Sequence, residues 1–331
     1  MRRKTFRNTI AFTALSAAGI YLINNNANKY AVSKNILKAE PENYFKWKNL
    51  KIYYTKKGTL GSPIILIHDL NPAASTAEWE KLEKVLSKNH RVYSIDLLGC
   101  GRSDKPELTY TSFYFVQLLI DFIKSRVCEK SFVVASGYSS SIALMASAYD
   151  ATKFSGLLLI NPPSMSTLSR FPNNSSKIAK SLLEMPLIGS LIYNILYARE
   201  VIDDKFTEDY LYNPFLVDTK LIDTYYESAH LANGNGRFLQ ASISGNYVNM
   251  NIEHALKNTP VYADILIGSS LPNANFISRT WKRLKPDIKI YSIHQAKNLP
   301  HLEKPELTAS IIEKSIASAA KKREESFKNR K

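Results

Sequence analysis

Cysteine is scarce in this sequence. Of 331 residues only Cys100 and Cys128 are cysteines, which excludes a framework of disulfide bridges and gives no metal-binding spacing. Glycine (12 residues) and proline (14 residues) are scattered, and no repeat of fixed period or low-complexity linker divides the chain. With 45% hydrophobic residues, the chain is long enough to bury one large core with an inserted subdomain. We expect neither a metal nor another cofactor.

Acidic residues are also few relative to basic ones. The sequence has 44 Lys and Arg against 29 Asp and Glu, for a formal net charge of +15. Much of the excess lies at the two ends, in the first seven residues and in the tail 321–331. No basic stripe is interleaved with aromatic residues, so we expect no nucleic-acid partner. Contact with anionic lipid or a wall polymer remains open.

The first thirty residues have the composition of a targeting or anchoring segment. Basic residues precede Thr9–Ile23, a run without charge, and Asn24–Asn26 close it. A helix of this length spans about 22 Å, short of the ~30 Å hydrocarbon core. No small-residue cleavage site follows, which favours an uncleaved signal-anchor with the folded domain outside the cytoplasm. A cleaved signal peptide and an amphipathic start of a soluble protein are the alternatives.

Strands and helices are predicted to alternate through the middle of the chain. Short apolar runs indicate buried strands, and apolar residues at helical spacing lie between them. The predicted strands are 64–67, 92–95, 131–136 and 156–160, and the predicted helices between them are 79–86, 113–127 and 142–149. Such alternation is typical of a doubly wound, mostly parallel sheet. Chemistry in such sheets collects at the carboxyl ends of the strands.

Three of these strand ends carry recognisable motifs. They are His68-Asp69-Leu70, the segment Asp96–Pro106 (DLLGCGRSDKP), and Gly137-Tyr138-Ser139-Ser140-Ser141. Their order resembles that in the α/β-hydrolase family, in the branch with epoxide hydrolases, haloalkane dehalogenases and carbon-carbon bond hydrolases. The second motif is similar to that branch's D-x-x-G-x-G-x-S loop. The resemblance implies an α/β-hydrolase fold with an inserted helical lid.

The resemblance also implies a division of the chain. The expected segments are a signal-anchor at 1–30, the first half of the core at 45–163, a helical lid at 164–258, the second half of the core at 259–320, and a basic tail at 321–331.

By resemblance, Ser139 stands on the nucleophile elbow, where G-x-S-x-G begins at Gly137 and Ser141 replaces the second glycine. The oxyanion hole is then expected to consist of the backbone N–H groups of Leu70 and Ser140. Asp69 occupies a position where the family usually has glycine. Its carboxylate is compatible with a developing oxyanion only if the side chain points away.

The other two members of a catalytic triad do not match the family pattern. Leu271 stands in the place of the acid, after the strand predicted at 261–267, and Asn298 aligns with the catalytic histidine. An asparagine amide cannot accept and return a proton near neutral pH. His301, three residues further on, and His294, four residues before, are the candidates for a base, and His301 is the one assigned here.

Two functions are consistent with this pattern. The first is a serine hydrolase of small ester or amide substrates, with Ser139 as nucleophile, Leu70 and Ser140 as the oxyanion hole, and His301 as a candidate base. The second is a membrane-anchored, non-catalytic member of the fold (a pseudoenzyme) that binds a ligand or partner, because Leu271 and Asn298 replace the acid and the histidine. The expected partners are a small-molecule substrate or ligand and the membrane.

Overall fold

The computed structural model describes residues 2–38 and 43–328. Within them, one sheet has eight strands in the order β1-β2-β4-β3-β5-β6-β7-β8. The strands are β1 Tyr44–Trp47, β2 Leu50–Lys57, β3 Pro63–Ile67, β4 Arg91–Ile95, β5 Ser131–Ser136, β6 Phe154–Ile160, β7 Ala263–Gly268 and β8 Lys289–Ile293. β1 and β2 pair antiparallel, as do β2 and β4, whereas the pairs from β4 through β3 to β8 are parallel.

The central strands are buried along their whole length. Every residue of β3, β5 and β7 is inaccessible to solvent, because helices cover both faces of the sheet. This explains why these strands are continuous apolar runs without alternation. The predicted doubly wound, mostly parallel sheet is confirmed.

Fourteen α-helices occur in the described residues. They are α1 Arg2–Ala31, α2 Glu80–Leu86, α3 Ser112–Phe122, α4 Ser139–Tyr149, α5 Met165–Leu168, α6 Asn174–Glu184, α7 Ile188–Leu196, α8 Arg199–Lys205, α9 Thr219–Gly234, α10 Gly236–Ser244, α11 Glu253–Asn258, α12 Ala274–Leu284, α13 Pro300–Glu303 and α14 Pro305–Lys328.

The segment between β6 and β7, here called the helical insert, contains α5 to α11 and no strand. It has its own apolar cluster around Tyr193, Phe206 and Tyr225, separate from the two clusters that pack on the sheet. Tyr210 accepts a hydrogen bond from Asn71 Nδ2 in the loop after β3, at 3.1 Å. The insert therefore covers the carboxyl edge of the sheet.

Helix α1 packs against the insert near its C-terminal end. Asn24 Nδ2 donates to the carbonyl of Leu187, and in the chain just after α1 Lys34 lies 2.5 Å from Asp223. In residues 2–38 and 43–328, no helix combines the length and apolarity needed to cross a membrane. Met1 of the predicted anchor and residues 329–331 of the predicted basic tail lie outside the described residues.

Candidate functional site

The turn between β5 and α4 has Gly137 at its apex. Gly137 adopts φ +55°, a left-handed conformation that glycine reaches without a Cβ penalty. Tyr138 follows as the residue before α4. In a nucleophile elbow, the nucleophile occupies this sharp turn and the next residue supplies an oxyanion N–H. The position of the nucleophile is therefore that of Gly137.

The carboxylate of Asp69 fills the space in front of this turn. Its Oδ1 accepts hydrogen bonds from Tyr138 N at 2.7 Å and from Leu70 N at 2.8 Å. One N–H follows the apex and the other comes from the loop after β3, which are the two donors that form an oxyanion hole in this fold. The Asp69 side chain does not point away from these donors, which was the condition for its compatibility with a developing oxyanion. It occupies the oxyanion hole.

There is no room for a side chain at the apex while Asp69 holds this position. A Cβ built on Gly137 would lie 2.2 Å from Asp69 Oδ1 and 2.3 Å from its Cγ. Real Cβ atoms do not approach other heavy atoms so closely. The absence of a side chain at Gly137 therefore leaves the space that the Asp69 carboxylate fills.

The structure places Ser139 two residues beyond the apex, in the first turn of α4, and this corrects the placement expected from sequence. Ser139 is fully buried, and its hydroxyl donates to the carbonyl of His68 at 2.6 Å. The backbone N–H of Ser140 donates to the carbonyl of Gly137. Tyr138 N therefore lies at the position that was expected of Ser140 N, that of an oxyanion-hole donor. A nucleophilic role for Ser139 stays a prediction, and its hydrogen bond argues against it.

The Asp69 carboxyl has an unusual protonation equilibrium. Burial raises its pKa from 3.8 to about 6, although the N–H groups of Tyr138 and Leu70 favour the charged form. No ion pair between Asp69 and a cationic side chain is found in the described residues. The two N–H donors thus hold a carboxylate that is charged only above mildly acidic pH.

The loop after β3 is ordered by His68. Its Nε2 accepts from Leu97 N at 3.1 Å, so Nδ1 carries the proton, and Nδ1 lies 2.7 Å from the carbonyl of Asp69. Both ring nitrogens are therefore engaged with backbone. This geometry gives His68 a structural role.

The acid and histidine positions hold no titratable group. Leu271 packs against the main apolar cluster of the sheet. Asn298 lines a small cavity at the carboxyl edge of the sheet, and its Nδ2 donates to the carbonyl of Asp209 in the insert, at 2.9 Å. Asn161, at the end of β6, donates to the carbonyls of Lys297 and Asn298 and accepts from Gly268 N. These amides link strand ends and loops, and none of them can transfer a proton at neutral pH.

In the described part of the chain, no hydrogen bond joins His301 to Ser139. His301 is fully buried and stacks on Trp79 with ring centroids 4.0 Å apart. Its Nε2 lies 3.7 Å from Glu78 Oε1, and within residues 2–38 and 43–328 neither ring nitrogen has a hydrogen-bond partner. Glu78 Oε2 accepts from the hydroxyl of Tyr225 at 2.5 Å. His301 therefore belongs to a buried polar group behind the cavity.

The cavity at this edge has a volume of about 130 Å³. Its lining combines carboxylates, amides and tyrosine rings, from Asp69, Asn71, Ala74, Glu78, Ser136, Gly137, Asn161, Tyr210, Tyr225, Asn298 and Leu299. Pockets for small-molecule ligands usually measure about 300 to 1,000 Å³. Among the described residues, no group of three His, Cys, Asp or Glu is arranged to hold a metal ion.

Glu303 links the helical insert to the loop beside this cavity. Its Oε1 accepts from Tyr212 N at 2.7 Å, and its Oε2 accepts from Lys297 N at 2.9 Å. One carboxylate thus joins the helical insert to the loop that carries Asn298.

Sequence reasoning missed three contributors to this site, namely the inward carboxylate of Asp69, the apex position of Gly137, and Asn161. A signal for Gly137 was present, because an elbow apex requires positive φ and Gly137 is the only glycine in the segment 131–141. The Asp69 contact could have followed from that placement. For Asn161, only its position after β6 pointed to the site.

Comparisons with known proteins agree with the fold. The model of the alpha/beta hydrolase family matches residues 64–311. A 2-hydroxy-6-oxo-6-(2'-aminophenyl)hexa-2,4-dienoic acid hydrolase of Metapseudomonas resinovorans is 30% identical over 102 residues, covering 30% of this chain and 35% of that protein. A haloalkane dehalogenase of Bradyrhizobium diazoefficiens is 28% identical over 95 residues, covering 29% of this chain and 30% of that protein. The matches thus span about a third of these relatives.

Solved structures match over a longer stretch. An epoxide hydrolase superposes with a TM-score of 0.68 at 16% identity, covering 83% of this chain and 98% of its own. A bacterial membrane phospholipase A superposes with a TM-score of 0.67 at 18% identity, covering 97% of this chain and 99% of its own. Similarity at these identities establishes the fold alone. With the family model matching most of the chain, we conclude that this protein belongs to the alpha/beta hydrolase family.

Proposed function

We propose that this protein is a non-catalytic member of the family that acts by binding. The observation that supports this is the pair of hydrogen bonds from Leu70 N and Tyr138 N to the Asp69 carboxylate. The donors that would stabilise an oxyanion in a hydrolase are already satisfied by a negative group of the protein itself. A substrate carbonyl cannot enter until Asp69 leaves.

Three further features support the same proposal. The elbow apex has no side chain, the acid and histidine positions hold Leu271 and Asn298, and the cavity of about 130 Å³ is smaller than usual ligand pockets. Hydrolysis by the serine mechanism requires a nucleophile, a base and free oxyanion donors. Since this cavity is small, we expect the ligand or partner to bind elsewhere on the protein.

A serine-reactive fluorophosphonate probe tests the proposal. We expect the purified full chain to remain unlabelled, because Ser139 is buried and its hydroxyl is bonded to His68. Labelling at one site per chain that Ser139→Ala abolishes would contradict the proposal and support the serine hydrolase. Ser140→Ala is the matched control, since its hydroxyl is also buried and bonded to a backbone carbonyl, that of Ala135.

A restored site gives the complementary test. Combining Asp69→Gly, Gly137→Ser, Leu271→Asp and Asn298→His would empty the oxyanion hole and supply a nucleophile, an acid and a base. We expect this variant to become reactive with the probe, while the variant that keeps Asp69 stays unreactive. Equal reactivity of both variants would show that Asp69 does not block the site.

We also propose that α1 attaches the protein to a membrane, with the folded domain outside the cytoplasm. The support is the uncharged run Thr9–Ile23 after a basic start, together with the exposed side chains of Leu15, Leu22 and Ile23. A membrane-impermeant thiol reagent on intact cells tests the location. Cys128 is exposed and free, so we expect it to react, whereas buried Cys100 serves as the internal control. Labelling of Cys128 only after cell lysis would place the domain in the cytoplasm.

A further inference from the structure

The helical insert exposes an apolar surface on α6 and α7. Its members are Ile178, Leu182, Met185, Ile188 and Ile195, each between 42% and 62% exposed, and together they are here called the hairpin stripe. Ile178 and Leu182 are four residues apart on α6, and Ile188 and Ile195 are seven apart on α7, so each pair shares one side of its helix, while Met185 lies in the turn between them. The spacing makes this surface a regular feature of the sequence.

The residues of the hairpin stripe are not part of the buried apolar cluster of the insert. The opposite sides of the same helices bury Leu183, Tyr193 and Tyr197 in the insert's own cluster. Both helices are therefore apolar on two sides, one packed and one exposed. Soluble monomers rarely expose contiguous apolar patches, and such patches mark surfaces that bind a partner or a membrane.

Helix α1 lies beside the hairpin stripe. Asn24 Nδ2 donates to the carbonyl of Leu187 at the turn between α6 and α7, and Asn194 Nδ2 donates to Asn24 Oδ1. The residues of α1 just before this contact, Leu22 and Ile23, are exposed. The turn that contains Met185 thus lies where α1 leaves the folded domain, and the apolar surface is continuous with the segment proposed to attach to the membrane.

The charges around this surface favour anionic headgroups. The segment from Met1 to Ala39 contains no acidic residue and has a basic start. Between Met165 and Ala198 the one acidic residue is Glu184, which is paired with Lys180 at 2.6 Å, whereas Lys177 and Arg170 are exposed. An apolar face bordered by cations matches the boundary between anionic headgroups and acyl chains.

We propose that the hairpin stripe rests in the surface layer of an anionic lipid bilayer, beside the point where α1 enters it. This rests on the proposed membrane attachment and adds a second contact. The helical insert then faces the lipid, and the cavity beneath it is turned toward the membrane. The attachment fixes the orientation of the whole domain, which a single helix would leave free to swing.

An environment-sensitive fluorophore tests the contact. In the full chain with Cys128→Ser, Leu182→Cys carries a nitrobenzoxadiazole label, and Phe113→Cys is the matched control, because Phe113 is 79% exposed on α3. With vesicles containing phosphatidylglycerol, we expect a blue shift, increased emission and quenching by acyl-chain spin labels at position 182. At position 113 we expect no change. With vesicles of phosphatidylcholine alone, the shift at position 182 should be smaller.

Flotation of the same samples with the vesicles separates the two proposals. Flotation without a shift at position 182 would overturn the lipid contact of the stripe and leave the attachment by α1 intact. Failure to float would overturn the attachment itself. A shift that needs no vesicles and grows with protein concentration would show that a second copy of the chain covers the stripe, which also overturns the proposal. Circular dichroism confirms that each labelled variant is folded.

Discussion

Asp69 and Asp96 lie at the carboxyl ends of adjacent parallel strands, β3 and β4, but their carboxylates have different partners. Asp96 is fully buried and pairs with Arg102, whose Nε lies 3.0 Å from Oδ2, and it accepts from Thr76 N. Although burial opposes it, the Arg102 guanidinium keeps the pKa of Asp96 below its usual range. Asp69 has backbone N–H donors alone, and burial raises its pKa to about 6.

The different partners of Asp96 and Asp69 show that a motif can maintain the fold without serving catalysis. The Asp96–Pro106 loop, which matches the family most closely, uses its charged residues to hold its own backbone. Ser103, for example, donates to the carbonyl of Asp96 and accepts from Tyr53 N. The loop after β3 departs from the family at Asp69, and there the charge lies where a hydrolase needs an empty site. The matching loop therefore indicates the fold and says little about catalysis.

The largest effect is expected for Asp96→Asn. The substitution leaves the Arg102 guanidinium buried without its anion, and breaking a buried pair costs about 4 kcal/mol. Urea denaturation at neutral pH measures the free energy of unfolding. Asp104→Asn is the control, because Asp104 accepts from Lys51 N at a more exposed position and should cost about 1 kcal/mol or less. Equal losses would remove the contrast between the loops.

The second largest effect is expected in how the free energy of unfolding depends on pH, through the Asp69 carboxyl. The folded protein protonates this carboxyl below about pH 6, whereas the reference pKa of the unfolded chain is 3.8. The native state thus binds more protons in this window, so the free energy of unfolding falls as pH rises from about 4 to about 6, by about 3 kcal/mol.

Asp69→Asn should lack this part of the dependence, because an amide oxygen can still accept from Leu70 N and Tyr138 N without a charge. Denaturation curves of both proteins at several pH values give the difference. Parallel pH profiles would mean that Asp69 ionises normally in the folded state.

A smaller effect is expected at the elbow apex. Gly137→Ala introduces a Cβ at positive φ and against the Asp69 carboxylate, and we expect a loss of about 2 kcal/mol. Combining it with Asp69→Ala removes the clash and leaves the conformational cost. A double-mutant cycle measured by thermal unfolding therefore should show coupling between the two sites. Strict additivity would contradict the close packing of Gly137 and Asp69.

The smallest effect is expected for Ser139→Ala. It removes the hydrogen bond to the carbonyl of His68, at a cost of about 1 kcal/mol, and leaves probe labelling unchanged. Ser140→Ala should cost a similar amount, since its hydroxyl donates to the carbonyl of Ala135. Thermal unfolding of the two variants compares them. A much larger cost at Ser139 would indicate that it supports more than the loop after β3.

The sequence predicted the fold well because buried parallel strands are continuous apolar runs, and β3, β5 and β6 are all visible as such. It predicted the site less well. Asn298 and Leu271 were recognised from their motifs, but the elbow was placed two residues too far along the chain, because the motif was matched on Ser139 and the positive φ of Gly137 was not considered. The inward turn of Asp69 depends in part on the N–H of Tyr138, 69 residues away along the chain, a contact that no local pattern encodes.

The carboxylate of Glu303 has a consequence for the dynamics of the protein. Because it holds Tyr212 N and Lys297 N together, the helical insert and the loop of Asn298 cannot separate without exposing both amides to water. The two segments should therefore open as one cooperative unit, and their amide hydrogens should exchange with solvent at similar rates. Glu303 therefore couples the motion of the helical insert to that of the loop that carries Asn298.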